Sequence, residues 1–281
     1  MISQKLAWSR QCFLRPKRHD EALAAYDKAL SIKFDLEDAW LGRGNVFYDL
    51  KRYDEAFAAY DKALSIEPNL KYAEGSRLHA KMHLCDWAKI DIEILHLLSA
   101  AREKKPVGVP FLSLSIPASP ADQLQFAKTF ISDQGSFSAL WRDEIYSHDR
   151  IRIGYLSADF RHHALAQLAV GLFEHHDKSP FEIMAISCGP DDRSDLRNRI
   201  RSAVENFIDA GGMPDSVVAE FVRRRETDII VDLSGFTQDN RFSVFARRVS
   251  PLQVNFLCYT GTMGADCMDY IIADPMVIPN Q

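Results

Sequence analysis

Cysteine is scarce in this chain of 281 residues. The five cysteines are widely scattered: Cys12, Cys85, Cys188, Cys258 and Cys267. Their number and spacing are not those of a disulfide scaffold or of a metal site. The chain also has no run of about 18 apolar residues, as a transmembrane helix requires, and its first residues lack the apolar segment of a secretory signal. We therefore expect a reducing, cytoplasmic location.

Basic residues are too few and too dispersed to indicate a nucleic-acid-binding groove. Lysine and arginine total 34, aspartate and glutamate total 39, and the net charge is −5. Neither nucleic acid nor a membrane is therefore an expected partner. Hydrophobic residues make up 47% and charged residues 26%, which is typical of globular proteins. The length suits about two domains.

An internal repeat occupies the first part of the chain. Residues 20–32 read DEALAAYDKALSI and residues 54–66 read DEAFAAYDKALSI, so that the two copies differ at one position and lie 34 residues apart. This offset is the period of a tetratricopeptide repeat. The second copy also has the small and bulky residues of that pattern: Trp40, Gly44, Phe47, Ala56, Tyr60, Ala63 and Pro68. The pattern predicts an α-helical tetratricopeptide-repeat region over residues 1–103.

The first copy of the repeat is degraded, because Leu6 and Arg10 stand where the second copy has Trp40 and Gly44. Repeat units bury their faces only against neighbours. A third helix pair near residues 72–98 is therefore expected, although its pattern is weak. The region is expected either to serve as a helical scaffold or to bind a peptide on its concave face.

A different pattern follows the repeats. Residues 104–149 include a proline-rich segment and are predicted to form a linker with one helix at 122–130. Short apolar runs then alternate with helical stretches. The predicted strands are residues 151–157, 181–187, 228–233, 252–257 and 270–273, and the predicted helices are residues 165–176, 192–204 and 215–225. This alternation predicts a parallel α/β sheet over residues 150–281.

Ligands of parallel sheets bind at the carboxyl ends of the strands. The segments of interest are therefore residues 157–163, 187–192, 234–241 and 258–264. Gly261 and Gly264 follow a strand and stand either in a phosphate-cradling turn or in a plain turn. The sequence contains no GxGxxG or Walker motif, so that the glycines alone do not identify a nucleotide site.

Three of these segments carry a family resemblance. They are RIRIGYLSADFRHH at 150–163, DIIVDLSGFT at 228–237 and LCYTGTMGADCMDYIIADPMVIP at 257–279, supported by HLCDW at 83–87 and VSPLQ at 249–253. Together they resemble the O-GlcNAc transferase and SPINDLY-type family of protein glycosyltransferases. The resemblance implies half of a GT-B fold, in which two Rossmann-like lobes flank the active site.

The resemblance also implies a reaction. Members of the family transfer N-acetylglucosamine from UDP to a Ser or Thr hydroxyl, with inversion at the anomeric carbon and without a metal. A second lobe supplies most of the UDP contacts in the family. We expect that lobe to be absent from this chain and the first lobe to be incomplete, so that independent activity is not expected.

Individual residues match the family's site. His163 matches the catalytic histidine, whereas Gly261 and Thr262, with Tyr259 beside them, match the loop on the sugar side of the donor. His163 also follows a predicted strand and opens a predicted helix, where the helix dipole favours a neutral ring. Asp159 is expected either to orient a ring at the substrate site or to cap that helix, and capping is the favoured interpretation.

The donor loop departs from the family pattern. Cys258 stands in place of a glycine and Thr260 in place of a proline, which indicates relaxed constraint around the donor. The second domain has one lysine, Lys178, which follows a helix and not a strand. A cation for the departing diphosphate is therefore not identified.

Three functions stay open at this point. The first is a glycosyltransferase whose second lobe comes from another polypeptide or from a longer gene product. The second is a non-catalytic interaction protein that binds peptides through its repeats. The third is a truncated gene remnant without function. The expected partners are a protein or peptide acceptor at the repeats and, for the first alternative, a second chain.

Overall fold

The computed structural model describes residues 16–276 and residue 278. Leu6 and Arg10, the degraded positions of the first repeat, lie outside the described residues. The chain divides between Asp133 and Gln134 into two compact units, each of which is described by itself below. No helix in the described part of the chain is both long and apolar enough to cross a bilayer.

The first unit is helical. Its elements are α1 (Pro16–Ile32), α2 (Glu37–Asp49), α3 (Tyr53–Ile66), α4 (Ala73–His83), α5 (Ile90–Arg102), a 3-10 helix (Pro110–Leu114) and α6 (Pro120–Asp133). The second repeat forms α2 and α3, and α3 ends two residues before Pro68, which cannot continue a helix. Helices α4 and α5 confirm the expected third helix pair.

Small residues let α2 and α3 pack closely. A Cβ atom on Gly44 would lie 2.5 Å from the Tyr60 ring, so that only glycine at position 44 leaves room for the ring. Ala56 and Tyr60 are buried, and the Tyr60 hydroxyl donates a hydrogen bond of 3.0 Å to Asn45 Oδ1. The predicted role of the small and bulky repeat residues is thus confirmed.

The predicted linker, residues 104–149, is shared between the units. Its first part packs on the repeats, because the Gly75 N–H donates a hydrogen bond of 2.8 Å to the Val107 carbonyl and Leu112 is buried. Its second part packs on the other unit, where the Leu140 N–H donates a hydrogen bond of 2.7 Å to the Arg247 carbonyl. The segment is therefore ordered structure on both sides of Asp133.

The second unit is built on a parallel sheet of six strands. The strands are β1 (Ile151–Ser157), β2 (Phe181–Ser187), β3 (Asn206–Asp209), β4 (Ile229–Asp232), β5 (Leu252–Phe256) and β6 (Tyr270–Ile272), and the helices are α7 (Ala164–Glu174), α8 (Asp195–Ala203), α9 (Asp215–Arg224) and α10 (Phe242–Phe245). The order in the sheet is β3-β2-β1-β4-β5-β6, and every neighbouring pair is parallel. This is the order of a Rossmann sheet.

The sheet is buried on both faces. Ile153 and Tyr155 on β1 belong to an apolar cluster with α7, whereas Leu156 on the same strand belongs to a cluster with α9. Burial on both faces explains why these strands read as continuous apolar runs. The prediction of a parallel α/β unit is confirmed.

Two elements are not among those that the sequence predicts. Strand β3 has four residues, lies at the sheet edge and is half-buried or exposed, so that it carries no long apolar run. Helix α10 has four residues, too few to show a helical period. Strand β5 also ends one residue earlier than predicted, because Leu257 adopts a left-handed backbone with φ of 60°.

Candidate functional site

The sheet order reverses at β1, which has β2 on one side and β4 on the other. In open α/β sheets such a reversal forms a crevice at the carboxyl ends of the strands. The loops that follow β1, β4 and β5 lead from this edge, as predicted. These loops also meet. Burial and the negative charge of Asp159, after β1, both raise the pKa of the Cys258 thiol, after β5, and Tyr259 packs against Gly235, after β4. This edge of the sheet is therefore the candidate site.

His163 is the N-cap residue of α7. Its backbone is extended, and its Nδ1 atom accepts a hydrogen bond of 3.2 Å from the Leu165 N–H. A nitrogen that accepts a hydrogen bond carries no proton, so the proton of the neutral ring lies on Nε2. The side chain is 37% exposed, and Nε2 has no hydrogen-bond partner among the described residues. The predicted position at the start of a helix is confirmed.

Asp159 does not cap α7, and the favoured interpretation of this residue is wrong. The His163 ring already occupies the cap position, and Asp159 Oδ2 lies 3.8 Å from its Nδ1 atom. Asp159 is buried, and its Oδ1 atom accepts a hydrogen bond of 2.9 Å from Arg161. Its alternative role, at the substrate site, stays a prediction.

Arg161 is a cation in the loop after β1 that the sequence pattern does not identify. Its side chain is one third exposed, and its Nε atom is buried without a hydrogen-bond partner among the described residues. The prediction from the sequence considers only lysine as the cation. The position of Arg161 in the loop after β1 is the sequence feature that indicates it. Lys178 instead lies just before β2, at the opposite edge of the sheet.

Asp232 organises the loop after β4. Its Oδ1 atom accepts hydrogen bonds of 2.9 Å from the Ser234 N–H and 3.1 Å from the Gly235 N–H, and together these form a tight turn. Burial raises the pKa of this carboxyl to about 6, and the two backbone hydrogen bonds offset only part of that rise. Gly235 has φ of +55°, and a Cβ atom there would lie 2.3 Å from Tyr259 Cβ.

Tyr259, a predicted substrate-binding residue, is buried in the structure. It is 2% exposed and packs edge-on against Phe236, with ring centroids 5.5 Å apart. Burial raises the pKa of its hydroxyl. Tyr259 therefore joins the loops after β4 and β5. Gly261 is buried and Thr262 half-buried farther along the same loop, and substrate contacts of all three residues stay predictions.

The start of the loop after β5 has an unfavourable backbone. Leu257 and Cys258 have φ of 60° and 51°, although neither is glycine. Each such residue costs about 1–2 kcal/mol. Burial raises the pKa of the Cys258 thiol, and the negative charge of Asp159 raises it further. The thiol also forms a hydrogen bond with Thr237. Cys258 therefore stands between the loops after β1 and β4, consistent with its departure from the family's glycine.

We expect Cys258→Gly to stabilise the second unit by about 1 kcal/mol, because glycine adopts positive φ without steric cost. The gain is reduced by the loss of the apolar contacts of the half-buried side chain. Thermal unfolding of wild type and variant measures the difference. The matched control is Cys267→Gly, since Cys267 is also half-buried but has no positive φ. This control should destabilise, and equal losses in both variants would contradict the prediction.

Comparison with known proteins identifies two family models. The model of glycosyl transferase family 41 matches residues 117–281, which is more than half of the chain, and that of the tetratricopeptide repeat matches residues 37–70. The first match covers β1 to β6 and every predicted site residue.

Curated relatives share this match. The chain is 26% identical over 221 residues to "Probable UDP-N-acetylglucosamine--peptide N-acetylglucosaminyltransferase SEC" of Arabidopsis thaliana, which covers 73% of this chain and 23% of the relative. It is 28% identical over 213 residues to the UDP-N-acetylglucosamine--peptide N-acetylglucosaminyltransferase of Caenorhabditis elegans, which covers 70% of this chain and 18% of the relative. The chain thus spans less than a quarter of the length of either relative.

A solved structure shares the fold. The structure of the K341M mutant of Thermobaculum terrenum O-GlcNAc transferase superimposes with a TM-score of 0.68 and 23% identity. The match covers 92% of this chain and 51% of that chain, so that this chain spans about half of the solved protein. The helical repeats and the parallel sheet therefore occur together in a known architecture.

Proposed function

From the premise that this chain belongs to glycosyl transferase family 41, we propose that its second unit supplies the first half of a UDP-GlcNAc-dependent protein glycosyltransferase site. The observation that carries the proposal is the meeting of the loops after β1, β4 and β5 at the sheet reversal. There, His163 Nε2 has no hydrogen-bond partner among the described residues, and the guanidinium of Arg161, paired with Asp159, is one third exposed.

Transfer of a sugar from a nucleotide requires stabilisation of the departing diphosphate. The N-terminus of α7 favours negative charge, because its first backbone N–H groups have no partner within the helix. The His163 Nε2–H adds a donor at this helix end, and two residues earlier Arg161 adds a guanidinium whose charge is partly offset by its ion pair with Asp159. We therefore assign this edge of the sheet to the diphosphate or the sugar of the donor.

This geometry also bears on the catalytic role of His163. Proton acceptance by Nδ1 would break the hydrogen bond from the Leu165 N–H, and Nε2 already carries a proton in the neutral ring. His163 therefore acts as a hydrogen-bond donor to the donor substrate while α7 is capped. A base for the acceptor hydroxyl must come from another group.

The remaining donor contacts are proposed to come from the family's second lobe. The relatives named for N-acetylglucosaminyl transfer to peptides are several times longer than this chain. We propose that the chain binds donor weakly and does not turn it over without that lobe, whether the lobe comes from the same gene product or from another chain. The tetratricopeptide helices are proposed to bind the protein acceptor.

Isothermal titration of the full chain with UDP and with UDP-GlcNAc tests the proposal. We expect a dissociation constant near or below about 100 μM, which corresponds to roughly −5.5 kcal/mol. His163→Ala should weaken binding about tenfold, since it removes the Nε2–H donor and the helix cap.

The matched control is His175→Ala at the other end of α7, which should leave the affinity unchanged. A folded chain that binds neither ligand would overturn the proposal. It would leave a non-catalytic interaction role for the repeats or a gene remnant without function. Equal effects of the two histidine replacements would remove His163 from the site while leaving donor binding intact.

A further inference from the structure

A buried arginine lies directly behind the candidate site. Arg197, on the first turn of α8, is 1% exposed. A cation is costly to bury unless charged and polar partners surround it. The partners of Arg197 therefore show which parts of the structure the buried guanidinium holds together.

Those partners come from the carboxyl ends of three neighbouring strands. Nη1 donates hydrogen bonds of 3.0 Å to the Phe160 carbonyl and 2.7 Å to Ser187 Oγ. Nη2 donates to Asp209 at the end of β3, and Nε lies 3.1 Å from Asp191 Oδ1. The guanidinium thus joins the loop after β1 to the ends of β2 and β3.

The bond to Phe160 is the one that bears on the site. Phe160 lies three residues before His163, in the loop that delivers His163 to its cap position. The same loop rests on the β2 loop at two further points: the His162 N–H donates a hydrogen bond of 2.6 Å to Asp192, and Gly189 lies against the Ala158 carbonyl. The β1 loop is therefore held at Ala158, Phe160 and His162 by contacts with α8 and with the loop after β2.

We propose that Arg197 is a positioning residue for His163. Its hydrogen bond to the Phe160 carbonyl fixes the β1 loop, so that Nδ1 stays on the Leu165 N–H and the proton stays on Nε2. Arg197 itself is buried, so we assign it no contact with a ligand. The importance of this arrangement for donor binding rests on the proposed function, whereas the state of the His163 ring does not.

The test is the nitrogen spectrum of the histidine rings in the full chain, because the two ring nitrogens of one tautomer give widely separated signals. His163→Ala assigns the signals of His163. In wild type we expect the pattern of the Nε2–H tautomer. In Arg197→Lys, which cannot bond to Phe160 and Ser187 in the same fork geometry, we expect the two signals to move toward the average of both tautomers.

Two further variants keep the test decisive. Ser187→Ala removes one neutral partner of the same Nη1 atom and should shift the His163 signals in the same direction, but by less. If Arg197→Lys does not fold, this variant tests the positioning role. Arg199→Lys is the control, because Arg199 lies two residues away on α8 and pairs with Glu174 on the surface. It should leave the signals unchanged.

Unchanged His163 signals in folded Arg197→Lys, or in Ser187→Ala where the lysine variant does not fold, would overturn the proposal. Titration with UDP adds an independent readout, in which Arg197→Lys should bind about tenfold more weakly. If wild type binds no UDP, the proposed function fails, and the ring signals still decide whether Arg197 positions His163. If wild type binds UDP and the ring signals do not move, only the positioning role fails.

Discussion

Replacing Gly189 by alanine is expected to destabilise the second unit by about 3 kcal/mol. A Cβ atom on Gly189 would lie 1.8 Å from the Ala158 carbonyl oxygen and 2.8 Å from its carbon. Both atoms belong to the backbone, so no side-chain rotation relieves the overlap. The loops after β1 and β2 must then separate, which also loosens the contacts that hold the β1 loop in place.

Gly171→Ala is the matched control and is expected to act in the opposite direction. Gly171 lies inside α7, and a Cβ atom there would meet nothing within 4 Å. Alanine is favoured over glycine in a helix by about 1 kcal/mol, so this variant should gain that amount. Hydrogen exchange of the β1 and β2 amides measures both changes in the second unit alone. Unaltered protection in Gly189→Ala would contradict the proposed close contact of the two loops.

The repeats were predictable because their packing is local and periodic. Two nearly identical segments 34 residues apart indicate one helix pair per copy, and the partners Gly44 and Tyr60 lie within that period. Strands β1 and β2 were predictable for a related reason, since burial on both faces makes them continuous apolar runs. Strand β3, at the edge, has no such run.

The location of the site was predictable, but its internal contacts were not. Polar residues after parallel strands indicate the carboxyl edge, and the position of His163 at a helix start follows from that rule. The cap made by its own ring depends on a side-chain rotamer. The bond between Arg197 and Phe160 joins residues 37 positions apart. Neither contact leaves a local pattern in the sequence.

The burial of Tyr259 is a further tertiary effect. The missing side chain of Gly235 provides a recess that the Tyr259 ring fills. Gly235 has φ of +55° and lies in the turn that Asp232 stabilises. Packing between the two loops is therefore a structural role of Tyr259 that its position in the sequence does not indicate, and its predicted substrate contact stays a prediction.

Replacing Asp232 by asparagine is expected to remove a loss of stability that wild type suffers as the pH rises. Burial raises the pKa of Asp232 from 3.8 to about 6 in the folded protein. Well below pH 3.8 the carboxyl is protonated in both the folded and the unfolded state. Between pH 4 and 6 the unfolded chain releases its proton first, so the free energy of unfolding falls as the pH rises, and above pH 6 the loss is complete.

The size of this loss follows from the two pKa values. A rise from 3.8 to about 6 corresponds to about 3 kcal/mol, at about 1.4 kcal/mol for each pH unit. Asparagine keeps an oxygen that accepts from the Ser234 and Gly235 N–H groups, and its amide cannot ionise. Asn255 on the neighbouring strand donates a hydrogen bond of 3.3 Å from Nδ2 to the Asp232 carbonyl, and its Oδ1 atom has no partner among the described residues.

Unfolding of wild type and Asp232→Asn in urea at pH 4, 5, 6 and 7 measures the effect. The other carboxylates contribute equally to both proteins, so the difference between the two free energies isolates Asp232. We expect that difference to shift by about 2 kcal/mol in favour of the variant from pH 4 to pH 7, because at pH 4 the unfolded carboxyl has already released part of its proton. Asp266→Asn, at an exposed position in the loop after β5, controls for the loss of a negative charge. A difference that stays constant with pH would show that Asp232 ionises without penalty, and that the turn tolerates a charged carboxylate at the centre of the site.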